Sequence, residues 1–323
     1  MKINKTKSVT AYGMTFLKKV FQTKSVVLCL LTTTVFFQIQ CSSKKTTLDK
    51  DESLVVKDIF DPSWLEATEG NMPLVISVPH GGLISPTEIP DRTCGTKEKD
   101  DNTNFLAYEI SDAFEKQGKK PFLIVSQIAR AKIDLNRDMD VATCENPMMY
   151  STWKQYHKYI EAAISKAIEQ YGYALYIDLH GQSHPVKRLE LGYMLRKSDL
   201  ESNSVSATAI NAKSSLQNLL NMTGNQTLKD LLIGEHALGT FFESNGYPAV
   251  PSLQDPYPKS DEAYFSGGYN TRRYTSSDYP KVFGLQIEAN YKVRASEANR
   301  KQFSEAFVTS ITDYLDVLQP LIK

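Results

Sequence analysis

Several features that indicate special architectures or partners are absent from this chain of 323 residues. No segment repeats with a period of 20–50 residues, which excludes a solenoid or a propeller. A basic excess is also missing. The first 40 residues hold six lysines and no acid, so of 37 basic and 37 acidic residues the remainder keeps 31 basic and all 37 acidic ones, a net charge of −6. That charge argues against nucleic acid as a partner.

The sequence also lacks an apolar run long enough to span a membrane. Val26–Ile39 is apolar over roughly fourteen residues and follows three lysines, which is typical of a signal peptide. We therefore predict a signal peptide over residues 1–40, with Met14 as an alternative start. Cys41 and a polar tether over 41–58 resemble the start of a bacterial lipoprotein. We expect an exported cell-envelope protein on the periplasmic or outer-membrane face, attached to the membrane only through a lipid on Cys41.

Cysteine is scarce after the signal region. Only Cys94 and Cys144 follow Cys41. An oxidising compartment permits a disulfide between them, but two buried thiols are an equal alternative. The sequence leaves this choice open.

Histidine is scarce as well, with five in the chain, yet two of them follow apolar runs of the same kind. Leu74–Val78 leads to His80, and Ala174–Leu179 leads to His180. Each run is short and is stopped by glycine, as a buried strand would be. Ligands bind at the carboxyl ends of strands in an open α/β sheet. The sequence thus places two imidazoles at one edge of a sheet, which predicts a metal site.

Strand-like and helix-like segments alternate along the chain, and 41% of the residues are hydrophobic. This pattern predicts an α/β fold, a single three-layer α/β/α domain over 59–323 with a mixed, mostly parallel sheet. A short helix or covering arm is expected over Ile59–Thr68. The further strands are predicted at Pro121–Gln127, Leu189–Leu195 and Val282–Glu288. The helices are predicted at Asn102–Gln117, Tyr150–Tyr171, Ser206–Leu220, Leu228–Ser244 and Ser296–Leu318.

The predicted metal site needs a third ligand. A catalytic zinc takes about three nitrogen or oxygen ligands from the protein and keeps a position open for water. Asp101 is the first choice because it begins a helix after the loop that follows His80, and Asp100 is a near equal. Asp178 lies two residues before His180 on the same strand face. There its carboxylate can accept a hydrogen bond from an imidazole and so orient the ring.

Glu288 is the predicted general base. It ends an apolar strand, and a carboxylate there could take a proton from zinc-bound water and pass it to a leaving amine. Other polar positions have simpler interpretations. His157 and His236 fall within predicted helices, as packing or surface residues. His184 follows His180 by four residues, but across a glycine that breaks helical geometry, so a zinc pairing on one helix face does not apply.

Two further segments would ordinarily be structural. The polar cluster Asp134–Asp138 is typical of a solvated loop, and Tyr269–Tyr274 is typical of a glycine-rich turn. The residues of these two segments become functional candidates only when the motifs elsewhere in the chain are considered with them.

Motifs along the chain together resemble the N-formylglutamate amidohydrolase family. The resemblance covers roughly Pro73 to Leu318, and the order and spacing of the motifs are more specific than any one of them. They are SVPHGG (Ser77–Gly82), LNRD (Leu135–Asp138), YH (Tyr156–His157), DLHG (Asp178–Gly181), GYPAVPS (Gly246–Ser252), GGY (Gly267–Tyr269) and LQIE (Leu285–Glu288).

The resemblance implies a fold like that of zinc-dependent exopeptidases and aspartoacylase, and hydrolysis of the amide bond of N-formyl or N-acyl amino acids. It implies zinc on His80, Asp101 and His180, with Glu288 as the base. It also implies arginines that hold the carboxylate of a small-molecule or short-peptide substrate. These would be Arg130 and Arg137, with Asn136 beside them, and Arg272 or Arg294.

Two features depart from the family pattern. The chain carries an export signal, and its first motif reads PHGG where PHSG is common. The export signal favours a second interpretation, a cell-envelope peptidase or amidase of the same fold. A third is a non-catalytic surface lipoprotein, which would have no need for His80, His180, Asp101 and Glu288 together.

Overall fold

The computed structural model describes residues 57–201 and 208–322, which lie in one compact unit. The predicted signal peptide, Cys41 and the tether up to residue 56 lie outside the described residues. Within the described part of the chain, every helix is too short or too polar to cross a membrane.

Seven strands form one mixed sheet in the order β1-β3-β2-β4-β7-β5-β6. The inner strands β3, β2, β4 and β7 are parallel to one another, β1 is antiparallel to β3, and β5 is antiparallel to β7 but parallel to β6. The predicted α/β fold is therefore confirmed. The strands are β1 Leu65–Thr68, β2 Leu74–Val78, β3 Phe122–Ser126, β4 Ala174–Gln182, β5 Leu189–Gly192, β6 Ala249–Val250 and β7 Val282–Asn290.

Two long helices match their predicted positions closely, and shorter ones fill the connections. Ser296 caps the last long helix through a bond from the Asn299 N–H to its hydroxyl, as predicted. The helices are α1 Thr103–Glu115, α2 Met139–Thr143, α3 Tyr150–Tyr171, α4 Lys197–Glu201, α5 Thr208–Asn211, α6 Gln217–Thr223, α7 Leu228–Ile233, α8 Leu238–Ser244, α9 Tyr269–Tyr274, α10 Tyr291–Arg294 and α11 Glu297–Leu318.

The two faces of the sheet are covered differently. Side chains alternate along a strand, so Leu175 and Ile177 of β4 join a core with α1 and α11, while Ala174 and Tyr176 join a second core with α3. Towards the carboxyl ends of β4 and β7, the face that carries Tyr176 becomes polar. We call this polar half the site face. It consists of Asp178, His180 and Gln182 in β4, Gln286, Glu288 and Asn290 in β7, and Glu190 in β5.

Several predicted elements differ from the structure. The expected arm over Ile59–Thr68 contains the edge strand β1, because Pro62 begins a short 3₁₀ turn after Asp61 and the chain then extends along β3. The two predicted helices between β5 and β6 are each divided. Gly234 ends α7, and Ser215 uses its backbone to bond Tyr193 and Gly284 at the sheet edge instead of continuing a helix.

Candidate metal site

Three potential ligand atoms face one another near the carboxyl ends of β2 and β4. The Nδ1 atoms of His80 and His180 are 3.1 Å apart, and Oδ2 of Asp100 lies 3.0 Å from His180 Nδ1 and 3.6 Å from His80 Nδ1. Within residues 57–201 and 208–322, this is the one group of three His, Cys, Asp or Glu residues with ligand atoms close enough to hold a metal ion. Its members are buried or nearly so, with 11% of the Asp100 side chain exposed.

The backbone explains why Asp100 enters this group. Its N–H donates to the carbonyl of His80 at 3.0 Å, which returns the loop after β2 to the strand end, and its carboxylate accepts the N–H of Gly181 at 3.1 Å. Asp101 is the next residue and points away. Its side chain is 53% exposed and pairs with Lys99 at 2.7 Å. The geometry therefore corrects the preference for Asp101 in favour of Asp100.

Glycine follows each histidine because the backbone is crowded there. A side chain at Gly81 would collide with Asn104 of α1, and one at Gly181 would collide with the guanidinium of Arg294. The PHGG and DLHG motifs thus allow close packing around the two imidazoles.

Each histidine also has a carboxylate next to its Nε2, the ring nitrogen that faces away from the ligand group. Asp134 Oδ1 is 2.6 Å from His80 Nε2, and Asp178 Oδ2 is 2.9 Å from His180 Nε2. Asp178 is in turn held by the hydroxyl of Ser77, which donates to its Oδ1 at 2.5 Å. Metal-bound histidines usually donate their second ring N–H to such a carboxylate. The sequence predicts this position for Asp178, but it places Asp134 in a solvated loop, whereas Asp134 is buried.

The donor set fits a cation. When Asp134 and Asp178 are ionised they can only accept, so each Nε2 carries the ring proton and each Nδ1 presents a lone pair. Two lone pairs and the Asp100 oxygen then meet within hydrogen-bonding distance, where they repel unless a metal ion or an extra proton lies between them. A metal ion removes this repulsion for all three atoms at once.

Without a metal ion, the pKa values of the ligand group and its neighbours are shifted by the close approach of these atoms. Burial opposes the charge on Asp100, but bonds from His180 and His80 outweigh it and hold the pKa of Asp100 well below its usual range. Burial likewise opposes ionisation of Asp134, and His80, Arg130 and Arg92 outweigh it, so the pKa of Asp134 is lowered. Burial disfavours charged His180, yet Asp178 and Asp100 raise its pKa well above the usual value. A proton on His180 would thus take the place of the cation.

The predicted substrate-binding residues divide into two groups. Arg130 lies at the site, with Nη2 3.1 Å from Asp134 Oδ2, Nη1 3.7 Å from Asp100 Oδ1, and 13% of its side chain exposed. Asn136 is buried, with Nδ2 3.1 Å from His180 Nε2 and Oδ1 accepting the N–H of Asn270. Arg137 and Arg272 are exposed, and in the described part of the chain neither side chain forms a hydrogen bond or an ion pair with the site residues.

Arg294, the further candidate, has a structural role. It is buried and donates to the carbonyls of Ala289 at 2.9 Å and Gln182 at 3.0 Å, and also to that of Asp101. These bonds join the ends of β4 and β7 to the loop that carries Asp100. Arg294 therefore holds the site together and is not free to bind a substrate carboxylate.

Glu288 lies on β7 directly opposite His180 and is 4% exposed. Its Oε1 accepts a bond from Gln286 Nε2 at 2.7 Å. Burial raises the pKa of Glu288 to about 8, with the charge of His180 opposing and those of Asp100 and Glu190 assisting. Such a carboxyl group has a high affinity for a proton, as a general base requires.

A disulfide connects the two loops that surround this centre. Cys94, in the loop after β2, is bonded to Cys144 at the end of α2, which settles the alternative that the sequence left open. Buried Arg92 reinforces the link by donating to the carbonyls of Cys94 and Arg130. The bridge and Arg92 thus hold the Asp100 loop against the segment that carries Asp134.

Comparisons with known proteins give distant similarities only. No family model matches the sequence, and no curated protein matches it. Among solved structures, N-formylglutamate amidohydrolase from Ralstonia eutropha is 12% identical, with 80% of this chain and 97% of that chain covered and a TM-score of 0.46. A gene product of Agrobacterium tumefaciens is 11% identical (78% and 94% covered, TM-score 0.47), and a metallo-carboxypeptidase from Burkholderia cenocepacia is 11% identical (78% and 61%, 0.36).

The family that the motifs resemble is therefore represented among the solved structures similar to this chain. At these identities and TM-scores, the similarities do not determine an activity.

Proposed function

We propose that this protein is a zinc-dependent amidohydrolase that cleaves the amide bond of N-formyl or N-acyl amino acids. The observation that carries the proposal is the convergence of His80 Nδ1, His180 Nδ1 and Asp100 Oδ2, each histidine being backed by a buried carboxylate. Two imidazoles and one carboxylate form a ligand set typical of catalytic zinc.

The other residues supply proton transfer and orientation. Zinc held by His80, Asp100 and His180 would act as a Lewis acid and lower the pKa of water. Glu288 takes a proton from the attacking water and gives it to the leaving nitrogen as the amide bond breaks. Arg130 is the partly exposed cation beside the ligands, so it is the proposed contact for a substrate carboxylate.

The burial of the site favours a small substrate. His80 and His180 are each 3% exposed, which leaves little accessible surface at the ligand group for a substrate to contact. A single N-acyl amino acid meets that limit more easily than a polymer.

The disulfide favours a location in the cell envelope. That location also favours the alternative function, a small envelope peptidase or amidase of the same fold. Disulfides persist mainly in oxidising compartments, and the Cys94–Cys144 bridge joins two described loops. We therefore retain export and a lipid anchor on Cys41 as part of the proposal.

Metal content and substrate range test the proposal together. The purified protein should bind one zinc per chain and hydrolyse N-formyl amino acids in preference to short peptides. Hydrolysis of peptides alone would support the envelope peptidase. A protein that binds no zinc and cleaves neither class would contradict both enzymes and favour a non-catalytic lipoprotein.

A further inference from the structure

A second buried carboxylate lies beside the proposed base. Glu190 of β5 is the direct partner of Glu288 across the antiparallel β5–β7 pair, and only 1% of it is exposed. Two neighbouring carboxylates out of water are costly unless each is compensated. In the described part of the chain, no Lys or Arg forms an ion pair with Glu190. Its bonds come from His184 Nδ1, 2.7 Å from Oε1, and from the Phe265 N–H, 2.8 Å from Oε2.

These bonds fix the orientation of the His184 ring. Glu190 accepts at both oxygens, so the Nδ1 of His184 donates to it, and the Nε2 lies on the opposite side of the ring. The backbone fixes the ring further, because the His184 N–H donates to Gln182 Oε1 at 2.6 Å. The side chain of His184 is 24% exposed. It is therefore a fixed, partly exposed ring with a buried carboxylate bonded to its Nδ1.

Phe265 completes the arrangement. Its ring stacks on the imidazole, with the centroids 4.9 Å apart and the planes 17° from parallel, and it is 44% exposed. The face of an exposed aromatic ring attracts cations and also packs against methylene groups. An aromatic face and a buried carboxylate lie together, and both favour positive charge.

The arginines near the site do not neutralise this side. Arg92 and Arg130 lie beside Asp134, on the other side of the ligand group. Arg188, at the start of β5, is already paired with Asp255 and Glu262, each at 2.7 Å. Arg294 donates to three backbone carbonyls, and Lys187 donates to the carbonyl of His184, so neither forms an ion pair with Glu190.

We propose that His184, Glu190 and Phe265 form a subsite for an alkylammonium group of the substrate. Because Glu288 would protonate the leaving nitrogen, the side chain of the substrate's amino acid would extend to this side while its carboxylate faces Arg130, which rests on the proposed function. The subsite then selects N-acyl derivatives of basic amino acids, whose side chains carry methylenes and an ammonium group. Lysine-like compounds are the class it fits best.

Ligand binding tests the subsite without using catalysis. The zinc-loaded protein is titrated by calorimetry with L-lysine and with L-norleucine, which also has a four-carbon side chain but lacks the ammonium group at its end. We expect lysine to bind at least about tenfold more tightly, as is typical of a bond to a charged group. Glu190→Gln and His184→Phe should remove this preference while retaining zinc. Glu69→Gln is the matched control, because Glu69 is 63% exposed and pairs with Lys166 outside the site.

Equal binding of the two amino acids, or no binding of either, would overturn the subsite. So would a lysine preference that survives both Glu190→Gln and His184→Phe. The proposed function is judged separately, by hydrolysis of N-formyl-L-lysine, N-formyl-L-norleucine and N-formyl-L-glutamate. A protein that prefers lysine but hydrolyses none of the three would retain the subsite and lose the proposed reaction. Hydrolysis of all three at equal kcat/KM would retain the reaction and contradict the subsite.

Discussion

Replacing Glu288 by glutamine should slow catalysis and stabilise the metal-free protein at neutral pH. Glutamine keeps the size of the side chain but cannot accept a proton as a base. We expect kcat to fall on the order of 10²-fold or more, as is typical for loss of general acid–base catalysis, with zinc content unchanged. A structural glutamate would instead lose stability and activity together.

The effect on stability has a definite sign and size. Burial raises the pKa of Glu288 from the ordinary 4.5 to about 8 in the folded, metal-free protein. Between these pH values the folded state binds more protons than the unfolded state, so the free energy of unfolding falls as pH rises. At 1.36 kcal/mol per pH unit, the cost is about 3 kcal/mol at pH 7 and approaches 5 kcal/mol above pH 8. Glu288→Gln removes this cost.

The assay is urea denaturation of chelator-treated protein at pH 5 and pH 7.5, for the wild type, Glu288→Gln and the exposed control Glu69→Gln. The stability gain of Glu288→Gln should grow from pH 5 to pH 7.5, and Glu69→Gln should show none. A Glu288→Gln variant that retains the pH dependence of the wild type, or that is fully active with zinc bound, would refute the reasoning about this residue.

Three further predictions concern the surroundings of the site and the N-terminus. Replacing both Cys94 and Cys144 by serine should lower the free energy of unfolding by about 4 kcal/mol, since the bridge closes a loop of 50 residues; equal urea midpoints for oxidised wild type and variant would contradict this. Asp134→Asn should weaken zinc binding roughly 10- to 100-fold, whereas Asp138→Asn, at an exposed position, should not, as measured by competition with a chromogenic chelator. Cys41→Ser should abolish metabolic labelling with a fatty acid, and unchanged labelling would place the anchor elsewhere.

The central part of the fold was predictable because its signals are local. The runs ending at His80, His180 and Glu288 are apolar and short, and each is a strand of the parallel part of the sheet. Polar residues at the ends of neighbouring strands must meet at one edge, so the grouping of the two histidines followed from the pattern alone. The long helices α3 and α11 were predictable from their apolar spacing.

The remaining site residues depend on contacts between distant segments. Asp134 has the local sequence of a loop and is buried only because that loop folds over His80. The choice between Asp100 and Asp101 depends on one backbone bond, from the Asp100 N–H to the carbonyl of His80. Glu190 became a partner of Glu288 because β5 is antiparallel to β7, which no local pattern indicates.

Zinc binding by variants of two neighbouring aspartates is the most direct test of the proposed metal centre. Asp100→Asn and Asp101→Asn make the same chemical change at adjacent positions, but only Asp100 faces His80 and His180. Zinc per chain is measured by atomic emission after dialysis against a weak chelator. We expect about one zinc per chain in the wild type and in Asp101→Asn, and a large loss of bound zinc in Asp100→Asn. Full zinc occupancy in Asp100→Asn, or its loss in Asp101→Asn alone, would contradict the proposed metal centre.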